Sequence, residues 1–312
     1  MKHVTKIIMV CTGSLLLTTG ITSPGASTQR LRKLFSKNSE TPPLTMTQEY
    51  TLGRPGSISV TNPYGSITIK KAWAQEKIAA STITHAGSAQ DMPLTRIDEQ
   101  QLPNGDLKLS VVCANADKKT VVNLELIVPE KRELKLATTL GAITIENIQA
   151  AISATTTQGH IQLTAVQGTI VATTVKNGSI TIDKARGNIK ATTDKGSINL
   201  YNTTESVVAS AGKGAVNVTC QKLPSTGKLN VHTISGKISV KLPHEINADL
   251  VAKTKYGAVT CDHFVTIKPF TTQWNKNAWR HLKHEICGTL GTGEALISIQ
   301  NDRGNIKIGK YA

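Results

Sequence analysis

No CxxC pair occurs in this 312-residue chain, and its five cysteines are scattered, so zinc-ribbon and thioredoxin-like readings have no support. No apolar stretch reaches the roughly 18 consecutive residues that a membrane-spanning helix needs. Neither H-E-x-x-H nor the nucleophile elbow G-x-S-x-G is present, which removes the two simplest hydrolase signatures. Acids are scarcest where the pattern is most regular. Between Gly141 and Cys261 they are Glu146, Asp183, Asp194, Glu205, Glu245 and Asp249, none at the same position in successive repeats. That excludes the stacked carboxylates that repeat-built polysaccharide lyases and hydrolases use to hold calcium or an acid–base pair. The repeats also lack a double glycine, which excludes the G-G-x-G-x-D calcium repeat.

What the chain has in excess is positive charge, 36 Lys and Arg against 21 Asp and Glu, a formal net charge of +15. At the N-terminus Lys2 and Lys6 precede the short apolar run Ile7 to Leu17, followed by the small, turn-prone "TTGITSPGAS". That layout predicts a cleaved secretory signal over residues 1–27, and a basic linker over 28–45 follows, with Arg30, Arg32, Lys33 and Lys37. Removing Lys2 and Lys6 leaves the mature chain strongly basic. An exported basic protein attracts anionic polymers through screened electrostatics; the sequence gives no sign of specific nucleic-acid recognition.

The dominant feature is repetition. "GAITI", "GHIQL", "GSITI", "GSINL", "GAVNV" and "GKISV" begin at Gly141, Gly159, Gly178, Gly196, Gly214 and Gly236, and each is joined to a second arm such as "AISATT" or "NIKATT". Apolar and polar residues alternate in every arm, the two-residue period of a half-buried strand. Ile143, Ile161, Ile180, Ile198, Val216 and Ile238 are the expected inward set of the first arm, and a branched residue followed by a small one, as in Ile152 with Ala154, that of the second. Two strands in each repeat of about 20 residues predict an all-β parallel solenoid, every coil burying its apolar face on its neighbours. The glycines are its corners.

Residues 46–135 read as an N-terminal strand-rich cap. Residues 136–312 read as the solenoid, with a seventh coil beginning at Gly257, an insertion at about 264–290 and a C-terminal closing segment. Stacked in register, the outward residues of the first arm form an uncharged ladder, Thr144, Gln162, Thr181, Asn199, Asn217, Ser239 and Thr260, the candidate ligand face. The second-arm column, Ser153, Val171, Lys190, Val208, Asn230 and Val251, is more apolar. Within the insertion, "WRHLKHEIC" places His281 and His284 three apart, with Glu285 and Cys287 after them. It reads as a solvated basic element rather than a zinc site, with Trp274 and Trp279 packing it as a cap. Cys220 and Cys261 fall two coils apart, beyond disulfide reach, and Cys287 is the expected partner for one of them.

The opening "VTNPYGSITI", the strand "LELIVP", the ladder "GSITI…GNIKATTDKG" and the closing "GTGEALISIQNDRGNIKI" together resemble the secreted bacterial β-strand-repeat family whose members carry the name "putative adhesin". The resemblance implies a β-helix-like fold in the envelope or on the cell surface and a binding role, and it supplies no catalytic motif and no cofactor. The expectation is therefore a non-catalytic exported module, at the cell surface, in the periplasm or outside the cell. Its partners would be glycans or anionic envelope polymers, and copies could associate through the solenoid ends. The alternatives are a carbohydrate-active β-helix enzyme and a purely structural envelope protein.

Overall fold

Alternation sends every second side chain of each arm to one side, so two such arms can close over a thin apolar layer. In the computed structural model they do. It describes residues 7–10, 44–51, 56–72, 77–85, 95–113, 121–267 and 283–311, and nearly all of their regular structure is strand, gathered into two 13-stranded sheets. A typical coil runs along a second-arm strand, Ile152–Gln158, turns at Gly159, and returns along a first-arm strand, Ile161–Thr164. Successive coils pair in parallel and in register, Ile143 on Ile161, Ile161 on Ile180 and Ile180 on Ile198. These inward residues are buried, as are Ile152, Ala154 and their equivalents. The chain is a parallel β-solenoid.

The coils are not stacked in the order of the chain. Ile58–Tyr64 and Ile67–Lys71 form a coil lying between the one made by Leu107–Cys113 and Val121–Val128 and the one that begins at Leu134. At the other end the closing strands Ala295–Arg303 and Ile306–Lys310 insert between Lys228–Leu242 and the coil begun by Ala248–Tyr256, so that Ile306 pairs with both Ile238 and Val259. The expected seventh coil therefore does not sit on the sixth.

Antiparallel strands finish the stack. Thr95–Gln101 pairs with Leu107–Cys113, and Lys77–His85 lies on Val121–Val128 with Leu44–Thr51 beyond it. Glu285–Leu290 lies antiparallel on the coil at Ala248, with Thr266–Ile267 outside it. Most of the expected leader and linker lies outside the described residues; Ile7–Val10 pairs antiparallel with Thr45–Gln48.

The corner glycines stand in a column closer than side chains allow. A Cβ on Gly196 would lie 2.1 Å from the carbonyl oxygen of Gly178, and its φ of 144° is one that residues with side chains rarely adopt. Beneath the corners runs a buried polar ladder, Thr138, Thr156, Thr174, Thr193, Thr233, Asn301 and Thr254. Its members donate to corner carbonyls: Thr156 to Gly141 at 3.2 Å, Thr193 to Gly178 at 3.1 Å and Asn301 Nδ2 to Gly236 at 2.8 Å. Thr193 Oγ1 also lies 2.6 Å from Thr174 Oγ1. Thr193→Val keeps the shape and strands these groups, so unfolding by denaturant should show a loss of about 1–2 kcal/mol.

Cys220 is fully buried in the core, and its thiol donates to the Lys222 carbonyl at 3.2 Å. Cys220 and Cys261 are both free thiols, so the bridge expected between one of them and Cys287 is not formed. The threaded coil places them three steps apart rather than two, and the Cys287 thiol donates to Glu285 at 3.1 Å. Burial pushes the Cys220 thiol up, away from the reactive thiolate. Alkylation followed by mass analysis should therefore label Cys220 only after denaturation.

Candidate functional site

The first-arm sheet displays the predicted ladder on its outer face. Thr144, Gln162, Thr181, Asn199, Asn217 and Ser239 pair coil by coil at the same strand position. Asn217 Nδ2 donates to Asn199 Oδ1 at 2.8 Å, so part of the column is bonded to itself. Thr260 is separated from Ser239 by Lys307, brought in by the inserted coil, and Thr68 extends the column beyond Thr144 toward Glu125. The face is therefore longer than expected and charged near both ends. The inserted coil likewise puts Ser298 between Asn230 and Val251 in the second-arm column.

Next to the ladder, His160 Nδ1 lies 2.6 Å from Ser179 Oγ and accepts from the Ser179 backbone N–H at 3.2 Å. The hydroxyl and the backbone N–H of Ser179 thus both meet one ring nitrogen, which orients the imidazole. Glu146 and Asp183 stand at one strand position two coils apart, with Thr164 between them. Asp183 Oδ1 accepts from Asn202 Nδ2 at 2.8 Å.

The feature that alternation could not reveal is at the turn opposite the glycine corners. Asn147, Ala165, Lys184 and Asn202 follow the first arm in four successive coils, with φ of 58°, 53°, 54° and 56°. Asparagine tolerates this left-handed conformation; alanine and lysine hold it at a cost of about 1–2 kcal/mol each. Ala165→Gly should raise stability by about 0.5–1 kcal/mol, read from the denaturation midpoint.

Immediately after these residues Ile148, Val166 and Ala185 turn inward and are buried, while Gln149, Gln167 and Arg186 bridge from coil to coil. The result is an open groove of about 820 Å³, lined among others by Lys70, Lys71, Glu130, Glu146, Lys184 and Arg186. At one end Lys71 pairs with Glu130 at 2.8 Å and Lys70 with Glu125 at 2.8 Å. The Glu125 hydrogen bond and charge hold the Lys70 ammonium above its ordinary range. Lys184 and Arg186, at the other end, have no carboxylate partner among the described residues.

A family model described as Toastrack DUF4097 matches residues 26–309. The chain belongs to the DUF4097 Toastrack family. No curated protein matches it in sequence. Among solved structures it is similar to a "putative adhesin" from Bacteroides fragilis, at 12% identity and a TM-score of 0.42, over 85% of this chain and 96% of that one. A "putative adhesin" from Parabacteroides merdae is 14% identical with a TM-score of 0.38, over 64% and 89% of the two chains. A "putative lipid binding protein" from Parabacteroides distasonis is 10% identical with a TM-score of 0.38, over 86% and 97%.

Lys253 meets Glu285 at 2.5 Å, and among the described residues no three His, Cys, Asp or Glu side chains are grouped to hold an ion. His281, Trp274 and Trp279 lie outside the described residues. No helix among the described residues is long and apolar enough to cross a membrane.

Proposed function

We propose that this Toastrack-family chain is an exported, non-catalytic binding module whose solenoid surface holds glycans or anionic envelope polymers. The observation that carries the reading is the in-register stack itself. Parallel coils repeat the same outward hydrogen-bonding positions about every 4.8 Å, on a chain whose net charge is +15. A ligand that also repeats gains many weak contacts at once, and a basic scaffold raises the local concentration of an anionic one. Among the described residues the first-arm sheet ends at the short strand Val259–Cys261, an edge where copies would meet if the ends associate.

One observation favours a second reading. Glu146 and Asp183 share a strand position two coils apart, about 10 Å, just beyond the separation that a water-activating carboxylate pair requires. Asp183 is engaged by Asn202, so the binding reading is preferred.

Protease shaving of intact cells, with a periplasmic protein as control, tests the placement. Loss of the chain with the control intact supports a surface-exposed binder. Protection that ends only when the outer layer is broken would rule out adhesion to other cells and leave an internal envelope binder.

A further inference from the structure

We infer that the groove along the left-handed turn is the binding site for a short stretch of an anionic, hydroxyl-rich polysaccharide of the polyuronate type, anchored at its charged end by Lys184 and Arg186. This rests on the polymer-binding reading above and gives it a location and a ligand class.

Three independent features coincide there. The groove crosses four coils, from Lys71 and Glu130 through Gln149 and Gln167 to Arg186, about 14 Å along the stack. Its charge is asymmetric. The cations at one end are compensated by Glu130 and Glu125, with Glu146 also in the lining near Lys70, whereas Lys184 and Arg186 face the open groove with no ion pair to a carboxylate among the described residues. Between the ends the exposed amides of Gln149 and Gln167, one per coil, offer donors and acceptors at the spacing of the stack, as hydroxyls require.

The backbone adds the third feature. A turn built for stability alone would place glycine at these positions, as the opposite corner does. Here Ala165 and Lys184 are held at positive φ. Ala165 is a small residue in the groove lining, with the buried Val166 beside it, and Lys184 brings a charge to the rim. One coil further on, Gln221 Nε2 and Tyr311 Oη both hydrogen-bond Asn202 Oδ1, at 3.1 and 3.3 Å, so that step of the turn is already occupied. The groove is therefore bounded as well as charged. A carboxylate-bearing sugar chain satisfies both halves: its acid pairs with the guanidinium of Arg186, which grips carboxylates bidentately, and its hydroxyls meet the amides.

The test uses the purified protein and polygalacturonate, with neutral dextran as the comparison and thermal melts confirming that each variant is folded. The double variant Lys184→Glu with Arg186→Glu should lower affinity for polygalacturonate about tenfold or more. The pair Lys176→Glu with Lys195→Glu changes the net charge equally at the glycine edge and should lower it less than about threefold. Gln149→Ala with Gln167→Ala should weaken binding while leaving its salt dependence unchanged. Equal losses from the two charge reversals would overturn the groove and leave a diffuse basic surface, and so would an unchanged affinity after removal of both amides. Dextran bound as tightly as polygalacturonate would overturn the ligand class. Failure to bind any envelope polymer would instead remove the functional reading on which the inference rests.

Discussion

Gly196→Ala should destabilise the protein by about 4 kcal/mol or more, enough to prevent a cooperative fold in a marginal chain. Two costs add. An L-residue at a φ of 144° is strained by about 1–3 kcal/mol, and the new methyl group would sit 2.1 Å from the Gly178 carbonyl oxygen, which is backbone and cannot rotate away. Relief would require the two coils to separate, and coils have nothing but their neighbours to bury against. The same column continues through Gly214 and Gly236, whose missing Cβ atoms would each meet the preceding glycine carbonyl at 2.0 Å. Gly309→Ala is the control. It sits within the strand Ile306–Lys310, and its Cβ would meet only Asp262 Oδ2, at 3.5 Å. Denaturant unfolding of the two variants should separate them by several kcal/mol; a loss below about 1 kcal/mol in Gly196→Ala would contradict the close stacking of the corners.

Deleting residues 295–312 should have the other large effect, because of where the closing strands lie. In a solenoid wound in chain order, removing the last coil exposes one new edge and leaves the rest intact. Here it empties a slot between Ile238–Leu242 and Val259–Cys261 on one sheet and between Lys228–Ser235 and Ala248–Tyr256 on the other. It also removes the buried Ile297, Ile299, Ile306 and Ile308, each contributing about 1.5–3 kcal/mol of burial, and the Asn301 bond to Gly236. Hydrogen exchange should show lost protection in both flanking coils, 228–242 and 248–261, while the coils from 134 to 203 stay protected. If protection falls only in 248–261, the threaded order is wrong.

These two effects divide what the sequence made legible from what it did not. Strand period, corner glycines and inward aliphatics could be read directly, because alternation and burial are local rules, and Ile143, Ile161 and Ile180 are fully or almost fully buried. Coil order could not. Every first arm offers the same inward pattern, so "GNIKI" fits the stack at any step, and only the pairing of Ile306 with both Ile238 and Val259 decides it. Thr144 to Ser239 therefore share one register, and the inserted coil puts Lys307 between Ser239 and Thr260.

The buried threonines were readable in principle. In "AISATT" the alternation that buries Ile152 and Ala154 also buries Thr156, but a polar residue on an inward position does not announce the carbonyl it will serve. The groove was not readable. No residue type is common to "EN", "TA", "DK" and "YN", yet Asn147, Ala165, Lys184 and Asn202 adopt the same left-handed turn; asparagine suits it, and at Ala165 and Lys184 stacking imposes it. Only the fold sets Lys184 and Arg186 on one groove.

On the proposed function, the solenoid surface binds without turnover. Incubating the purified protein with a panel of envelope polysaccharides at stepped salt, and measuring retained protein and newly formed reducing ends in the same samples, tests it most directly. Retention should fall as salt rises, with no new reducing ends. Reducing ends accumulating with time, or retention indifferent to salt, would contradict it.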